Sequence, residues 1–160
     1  MEVGQSAQAR PADERAADRR IENLRGASLG AAVMLVIQFG LGVGVNLYVT
    51  LPAAGSGGRG IGQSFSNGAL LAVHTVLGLL LIVTAVSLLV RAIIARHRPV
   101  MVASVIGLLA ILAAVGFGES FVHSSTTGAS MGMAMATGVA LLCYIAALFI
   151  LGRAPRRRPA

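Results

Sequence analysis

The sequence contains no lysine and no tryptophan, and it has few charged residues of any kind. Charged residues make up 12% of the 160 residues, whereas soluble domains have about 25%. Because 56% of the residues are hydrophobic and the mean hydropathy is +0.80, the composition excludes an ordinary soluble domain. It indicates an integral membrane protein whose surface contacts the lipid bilayer.

The chain also has a single cysteine, Cys143, which lies inside an apolar run. A lone cysteine excludes an intramolecular disulfide bond. Nucleophilic catalysis has no support either, because Cys143, Ser87 and Ser104 have no histidine at a matching depth in the predicted spans. We therefore predict no catalytic residue, and the sequence favours a protein without enzymatic activity.

Four apolar runs dominate the rest of the sequence, at about residues 28–50, 69–94, 100–118 and 131–151. Each is close to the roughly 20 residues that an α-helix needs to cross the hydrocarbon layer. Pro52 ends the first run because its ring cannot continue a helix, and Pro99 suits the first turn of the third. Short connections place consecutive helices side by side. We therefore predict an all-α membrane protein, an up-down bundle of four transmembrane helices over residues 28–152.

The arginines divide the predicted topology into two sides. Residues 1–27 form a polar tail with five arginines, the connection between the second and third spans has three, and the basic tail of residues 153–160 has four. Only Arg59 lies on the opposite side. The positive-inside rule therefore predicts that both chain ends are cytoplasmic. Within the first tail, Pro11 is expected to open a short helix at the membrane surface, because proline suits the first turn of a helix. The net charge of +7 does not indicate nucleic acid binding, because the arginines flank apolar runs and form no basic face.

A group of polar residues shares one depth in this topology. Asn46 lies about one turn inside the outer end of the first span, His74 lies roughly 7 Å inside the start of the second, and Glu119 follows the third. Gln38, Gly42 and Asn46 fall on one helical face, which we expect to face protein. The sequence therefore predicts an outer-leaflet polar site centred on His74, with Gln38, Asn46 and Glu119 as its polar cluster.

His74 requires a partner, because an unpaired imidazole inside hydrocarbon is energetically costly. One hypothesis is that His74 hydrogen-bonds Asn46 or Glu119 and locks two helices together. Another is a quinone or proton-relay site that uses His74 and Glu119, although no residue marks a substrate for it. Under the first hypothesis the site is structural, and under the second it is functional.

A haem b site is a further hypothesis. His74 would supply one axial ligand, and His123, Met131 or Met135 would supply the other. Gly78 lies one turn from His74 on the same helical face, where it would leave room for the macrocycle. This hypothesis predicts a redox or haem-handling protein.

A copper site is the remaining metal hypothesis, because thioethers and imidazoles are ligands that Cu(I) prefers. His74 and His123 would be its imidazole ligands, and the sequence MGMAM that begins at Met131 would supply thioethers near the outer surface. Against this hypothesis, Met131 and Met133 point to different faces of a helix, and methionine is usually core filler.

The first two spans show a family resemblance over roughly residues 36–90. The residues that form the pattern are Gln38, Leu41, Gly42, Leu51, Pro52 and His74. They resemble the paired spans of heme A synthase, a haem-binding membrane enzyme made of two four-helix halves. In that family a histidine at the outer end of a span ligates haem, so the resemblance implies that His74 is a haem ligand.

The whole chain, with NLYVTLP in the first span and GVALLCY in the fourth, also resembles a group of small actinobacterial four-span membrane proteins. This resemblance implies a multi-pass protein of the bacterial plasma membrane. Two functions of different class fit these observations. One is binding of haem b for redox chemistry or haem handling. The alternative is a cofactor-free accessory or assembly subunit whose packed faces bind a larger membrane complex or a second copy of the chain.

Overall fold

The computed structural model describes residues 3–48, 68–124 and 127–153, with residues 3–14, 17 and 122–124 described through their backbone alone. These ranges form four helices and no strand: α1 (Val3–Tyr48), α2 (Ala69–Ile94), α3 (Arg98–Ser124) and α4 (Thr127–Gly152). Each helix contains a segment long and apolar enough to cross a membrane, which in α1 is Asp18–Tyr48. The predicted all-α fold of four membrane-spanning helices is confirmed, and the chain is a multi-pass membrane protein.

Helix α1 is longer than the sequence predicted. It begins at Val3, so the polar tail predicted for residues 1–27 is helical wherever it is described and runs into the first span without a break. The cause is local, since residues 12–25 contain no proline or glycine and are rich in Ala, Arg and Glu, which favour helix. The expectation of a separate surface helix beginning at Pro11 is therefore wrong.

The third connection is shorter than predicted. The sequence placed residues 119–130 between the third and fourth spans, whereas α3 continues to Ser124 and α4 begins at Thr127. Residues 119–127 contain no proline or glycine, so no helix breaker follows Gly118. Glu119 consequently lies within α3, more than one turn before its end.

The four helices form a closed ring in chain order. Helix α1 packs against α2 and α4, and α3 packs against the same two helices. Neither diagonal pair packs directly in the described part of the chain. The most extensive interface joins α3 to α4. This arrangement leaves a central axis onto which all four helices present side chains.

The buried core lies toward one end of the ring, which we call the arginine end. The described arginines nearest to it are Arg25, Arg91, Arg96, Arg98 and Arg153. Two clusters of buried side chains fill this end, and their largest members are Leu24, Leu35, Leu88, Val100 and Tyr144. Among the described residues, Val45, Leu71 and Ala129 are the buried apolar residues outside the two clusters. Tight packing is therefore concentrated in one half of the bundle.

Two glycines allow α3 and α4 to approach closely. A Cβ added at Gly107 would lie 3.0 Å from Cζ of Tyr144, and one added at Gly132 would lie 2.8 Å from Cδ1 of Phe117. Tyr144 is the largest fully buried side chain among the described residues. Gly107 thus admits this ring to the centre of the core, because any larger residue would collide with it.

Candidate functional site

A cavity of about 560 Å³ lies between the four helices, at the end of the ring opposite the arginine end. We call this part of the bundle the cavity half, and it comprises residues 35–47, 71–82, 111–121 and 130–137. Most of the lining side chains are apolar, and the polar ones are Gln38, Asn46, His74, Thr75, Glu119, Ser130 and Thr137. The volume falls in the range of about 300–1,000 Å³ that is typical of small-molecule pockets.

Small residues create the space. Gly42 on α1, Gly78 on α2, Ala114 and Gly118 on α3, and Ala134 on α4 all line the cavity. A Cβ added at Gly42, Gly78 or Gly118 would lie close to a side chain of the neighbouring helix, which belongs to His74, Gln38 and Met133 respectively. The floor of the cavity consists of Leu35, Leu81 and Ile111, which belong to the buried core cluster and also line the cavity.

The polar centre of the cavity is a pair formed by Gln38 and His74. The Gln38 amide nitrogen donates a hydrogen bond to the main-chain carbonyl oxygen of His74 over 2.8 Å. The same nitrogen lies 3.3 Å from Nε2 of the His74 ring. Because a carbonyl oxygen only accepts hydrogen bonds, this contact assigns the amide orientation, with NH₂ toward His74. The pair ties α1 to α2 within the membrane-spanning segment.

This contact also assigns the tautomer of His74. An amide nitrogen donates and does not accept, so Nε2 of the ring must be the acceptor of the second Gln38 hydrogen. The ring is then neutral, and its proton lies on Nδ1. Two buried atoms of the pair, His74 Nδ1 and Gln38 Oε1, make no hydrogen bond with the described residues.

Two glycines lie beside this pair at the interface of α1 and α2. A Cβ added at Gly42 would lie 3.3 Å from Cε1 of His74, and one added at Gly78 would lie 3.1 Å from Nε2 of Gln38. Each long polar side chain thus lies against a glycine of the opposite helix. The sequence interpreted Gly78 as room for a haem macrocycle, whereas in the structure Gly78 makes room for Gln38.

The mirrored spacing in the two helices was the signal that sequence analysis missed. Gln38 and Gly42 lie four residues apart on α1, and His74 and Gly78 lie four residues apart on α2. In an antiparallel helix pair, such spacings place each polar residue opposite the glycine of the other helix. The spacing therefore could have identified Gln38 as the partner of His74.

The predicted polar cluster and the structure agree on location but not on pairing. Gln38, Asn46, His74 and Glu119 all line the cavity. The hydrogen bond that the structure gives the His74 side chain comes from Gln38, whereas the sequence predicted Asn46 or Glu119 as the partner. The distance of a residue from the end of its helix gives its depth, and it contains no information about which helical faces meet.

The predicted second ligands are not all near the cavity. Met131 and Met135 are 65% and 64% exposed on the outside of the bundle and do not line the cavity, so the expectation that they face His74 is wrong. Met133, on the opposite face of α4, does line it. His123 has its backbone in the last turn of α3, and its side chain lies outside the described residues.

The arrangement of His74 does not fit a haem or copper ion as it stands. Nε2 accepts from Gln38 and Nδ1 holds the proton, so neither ring nitrogen offers a lone pair to a metal. No group of three or more His, Cys, Asp or Glu side chains comes together in the described ranges. Ligation of haem by His74 requires Gln38 to leave the ring, and it stays a prediction.

No family model, no curated protein and no solved structure matches this chain. The resemblance of residues 36–90 to heme A synthase is therefore still a prediction. The function has to be inferred from the bundle and its cavity.

Proposed function

We propose that this protein binds a hydrophobic small molecule inside the membrane, in the cavity half of the bundle. The observation that supports this proposal is a cavity of about 560 Å³ lined by all four helices, mostly apolar and with converging polar side chains at its walls. Pockets of this size and composition are the usual sites of small-molecule binding. The His74–Gln38 pair fixes the polar wall of the cavity, since both side chains are positioned by hydrogen bonding.

The orientation of the protein is part of the proposal. The arginines flank the helices at the arginine end, and the positive-inside rule puts that end in the cytoplasm. The cavity then lies in the outer leaflet of a bacterial plasma membrane, with both termini inside. Reporter fusions at each terminus test this: activity of a cytoplasm-dependent reporter at both ends is expected, and a periplasmic signal at either end contradicts it.

Haem b is one of the ligand hypotheses that the sequence raised, with redox chemistry or haem handling as the role. This candidate has a spectroscopic test. The protein purified with haem bound would show a Soret band, and His74→Ala would abolish that band if the ring were the axial ligand. A Soret band that survived in His74→Ala would exclude His74 as a ligand.

The binding proposal itself is tested by what the purified protein contains. We expect solvent extraction of the wild-type protein to release one type of hydrophobic molecule in near-stoichiometric amount, detected by mass spectrometry. Ala114→Leu should abolish this molecule because Ala114 lines the cavity. Ala113→Leu is the matched control, since Ala113 is the preceding residue on α3, is exposed and does not line the cavity.

The contrary outcome supports the alternative function. A folded wild-type protein that contains no ligand above the background of bulk lipid, and that purifies with a stable membrane-protein partner, would be an accessory or assembly subunit. In that case Ala114→Leu and Ala113→Leu should leave partner binding equally unaffected.

A further inference from the structure

We infer that the ligand of this cavity is an uncharged amphiphile that dissolves in the bilayer and donates a hydrogen bond through a hydroxyl group. This inference rests on the proposed function and names the ligand class. Three properties of the cavity support it: the absence of a cation on its described walls, the hydrogen-bonding state of its polar side chains, and a rim that faces lipid.

The charge of the cavity disfavours anionic ligands. His74 and Glu119 are the ionisable side chains on its described walls, and no arginine lines it there. His74 is neutral because its Nε2 accepts the Gln38 amide. A phosphate or carboxylate in the cavity would therefore lose its hydration without gaining a cation from the described walls, and Glu119 would add a second acidic group. Burying an unpaired anion costs far more than burying a hydrogen-bonded neutral group.

The polar side chains in the cavity offer both hydrogen-bond acceptors and the Nδ1 proton of His74, which makes no hydrogen bond with the described residues. The hydroxyl of Thr75 donates to the carbonyl oxygen of Leu71 over 2.9 Å, and that of Thr137 donates to the carbonyl oxygen of Met133 over 2.8 Å. With their protons used inside their own helices, both hydroxyl oxygens retain only acceptor capacity. A ligand hydroxyl is the complementary neutral group, because it can donate to these threonine oxygens and accept from the Nδ1 proton of His74.

The rim of the cavity faces the hydrocarbon layer. Phe39 and Val43 on α1, Leu79 on α2 and Val115 on α3 all line the cavity, and each is also more than two-fifths exposed. All four lie within helix segments long and apolar enough to span a membrane. We therefore expect the cavity to open sideways between helices into the lipid, so that a ligand enters from the bilayer and leaves an apolar tail against the rim.

Three probes with one tail test the head group: geranylgeraniol, its methyl ether and its monophosphate. Each is titrated into the full-length protein in nanodiscs of zwitterionic lipid, and bound probe is measured by native mass spectrometry. We expect the alcohol to bind at least tenfold more tightly than the phosphate and at least threefold more tightly than the ether. Ala114→Leu should weaken alcohol binding at least tenfold, whereas Ala113→Leu should change it less than twofold.

The possible failures are distinguishable. Equal binding of the phosphate would overturn the inference of an uncharged ligand, and equal binding of the ether would overturn the requirement for a hydroxyl donor. If none of the three probes binds but the purified protein still contains an extractable ligand that Ala114→Leu removes, the inferred ligand class is wrong and the proposed function stands. If no such ligand is found either, both fail.

Discussion

The two halves of the bundle use the same four helices and nearly the same apolar residue types, yet one half is packed and the other is hollow. At the arginine end, leucines and Tyr144 fill the central axis, and Gly107 lies against the tyrosine ring. In the cavity half, Gly42 and Gly78 lie against His74 and Gln38 at the interface of α1 and α2, and Ala114 and Ala134 line the cavity. The side chains between the helices therefore distinguish the two halves: leucines and Tyr144 fill one, and small residues such as Ala114 and Ala134 line the other.

The largest expected effect comes from removing a large buried side chain at the arginine end of the bundle. Tyr144→Ala should lower the free energy of unfolding by about 3–5 kcal/mol, because Tyr144 is fully buried and its loss leaves a void. Tyr48→Ala is the control, since Tyr48 is 82% exposed at the end of α1 and should change little. Unfolding in mixed micelles, followed by circular dichroism, measures both. Equal losses of unfolding free energy in Tyr144→Ala and Tyr48→Ala would contradict a stabilising role for the core at the arginine end.

The next largest effect comes from adding a side chain to the core at the arginine end. Gly107→Leu should destabilise the bundle by about 1–3 kcal/mol, because its new side chain collides with the Tyr144 ring. Gly116→Leu on the same helix is the control, because nothing lies within 4 Å of a Cβ at that position. Comparable stabilities of the two variants in the same unfolding assay would contradict the close α3–α4 contact.

The Gln38–His74 pair at the interface of α1 and α2 should show a smaller effect. In a double-mutant cycle with Gln38→Leu and His74→Leu, we expect a coupling free energy of about 1 kcal/mol, since the two side chains share the hydrogen bond between α1 and α2. A second cycle, with Asn46→Leu in place of Gln38→Leu, should give coupling close to zero. A stronger coupling of His74 to Asn46 than to Gln38 would support the hydrogen bond to Asn46 that the sequence predicted and contradict the one to Gln38 in the structure.

The smallest effect is expected for an alanine-to-leucine substitution on α3 in the cavity half, compared with the same substitution on α3 at the arginine end. Ala114→Leu should change the free energy of unfolding by less than about 1 kcal/mol, because the cavity has room for the added atoms. Ala103→Leu, by contrast, should cost about 1–3 kcal/mol, because Ala103 is 8% exposed and lies in the packed cluster at the arginine end. If both variants lose the same stability, the cavity half is not open as described.

The sequence predicted the four membrane-spanning helices because the length and apolarity of a run depend on neighbouring residues alone. The ends of the helices were less predictable. Residues 12–25 and 119–124 continue α1 and α3 because both stretches lack proline and glycine, and the first is also rich in strong helix formers.

The candidate site was predictable in location and not in detail. Placing Gln38, Asn46, His74 and Glu119 at one depth needed only the order of the spans. The pairing of Gln38 with His74, and the outward direction of Met131 and Met135, depend on how each helix is rotated about its own axis. That rotation is set by packing against the neighbouring helices, which a single apolar run does not encode.

Native mass spectrometry of the intact protein, released from its own membrane, measures ligand binding in the cavity most directly. We expect one bound hydrophobic molecule per chain in the wild type and in Ala113→Leu, and bare protein in Ala114→Leu. A wild-type protein that is released bare, or an adduct of the same mass and occupancy in Ala114→Leu, would contradict the claim that this cavity holds a ligand.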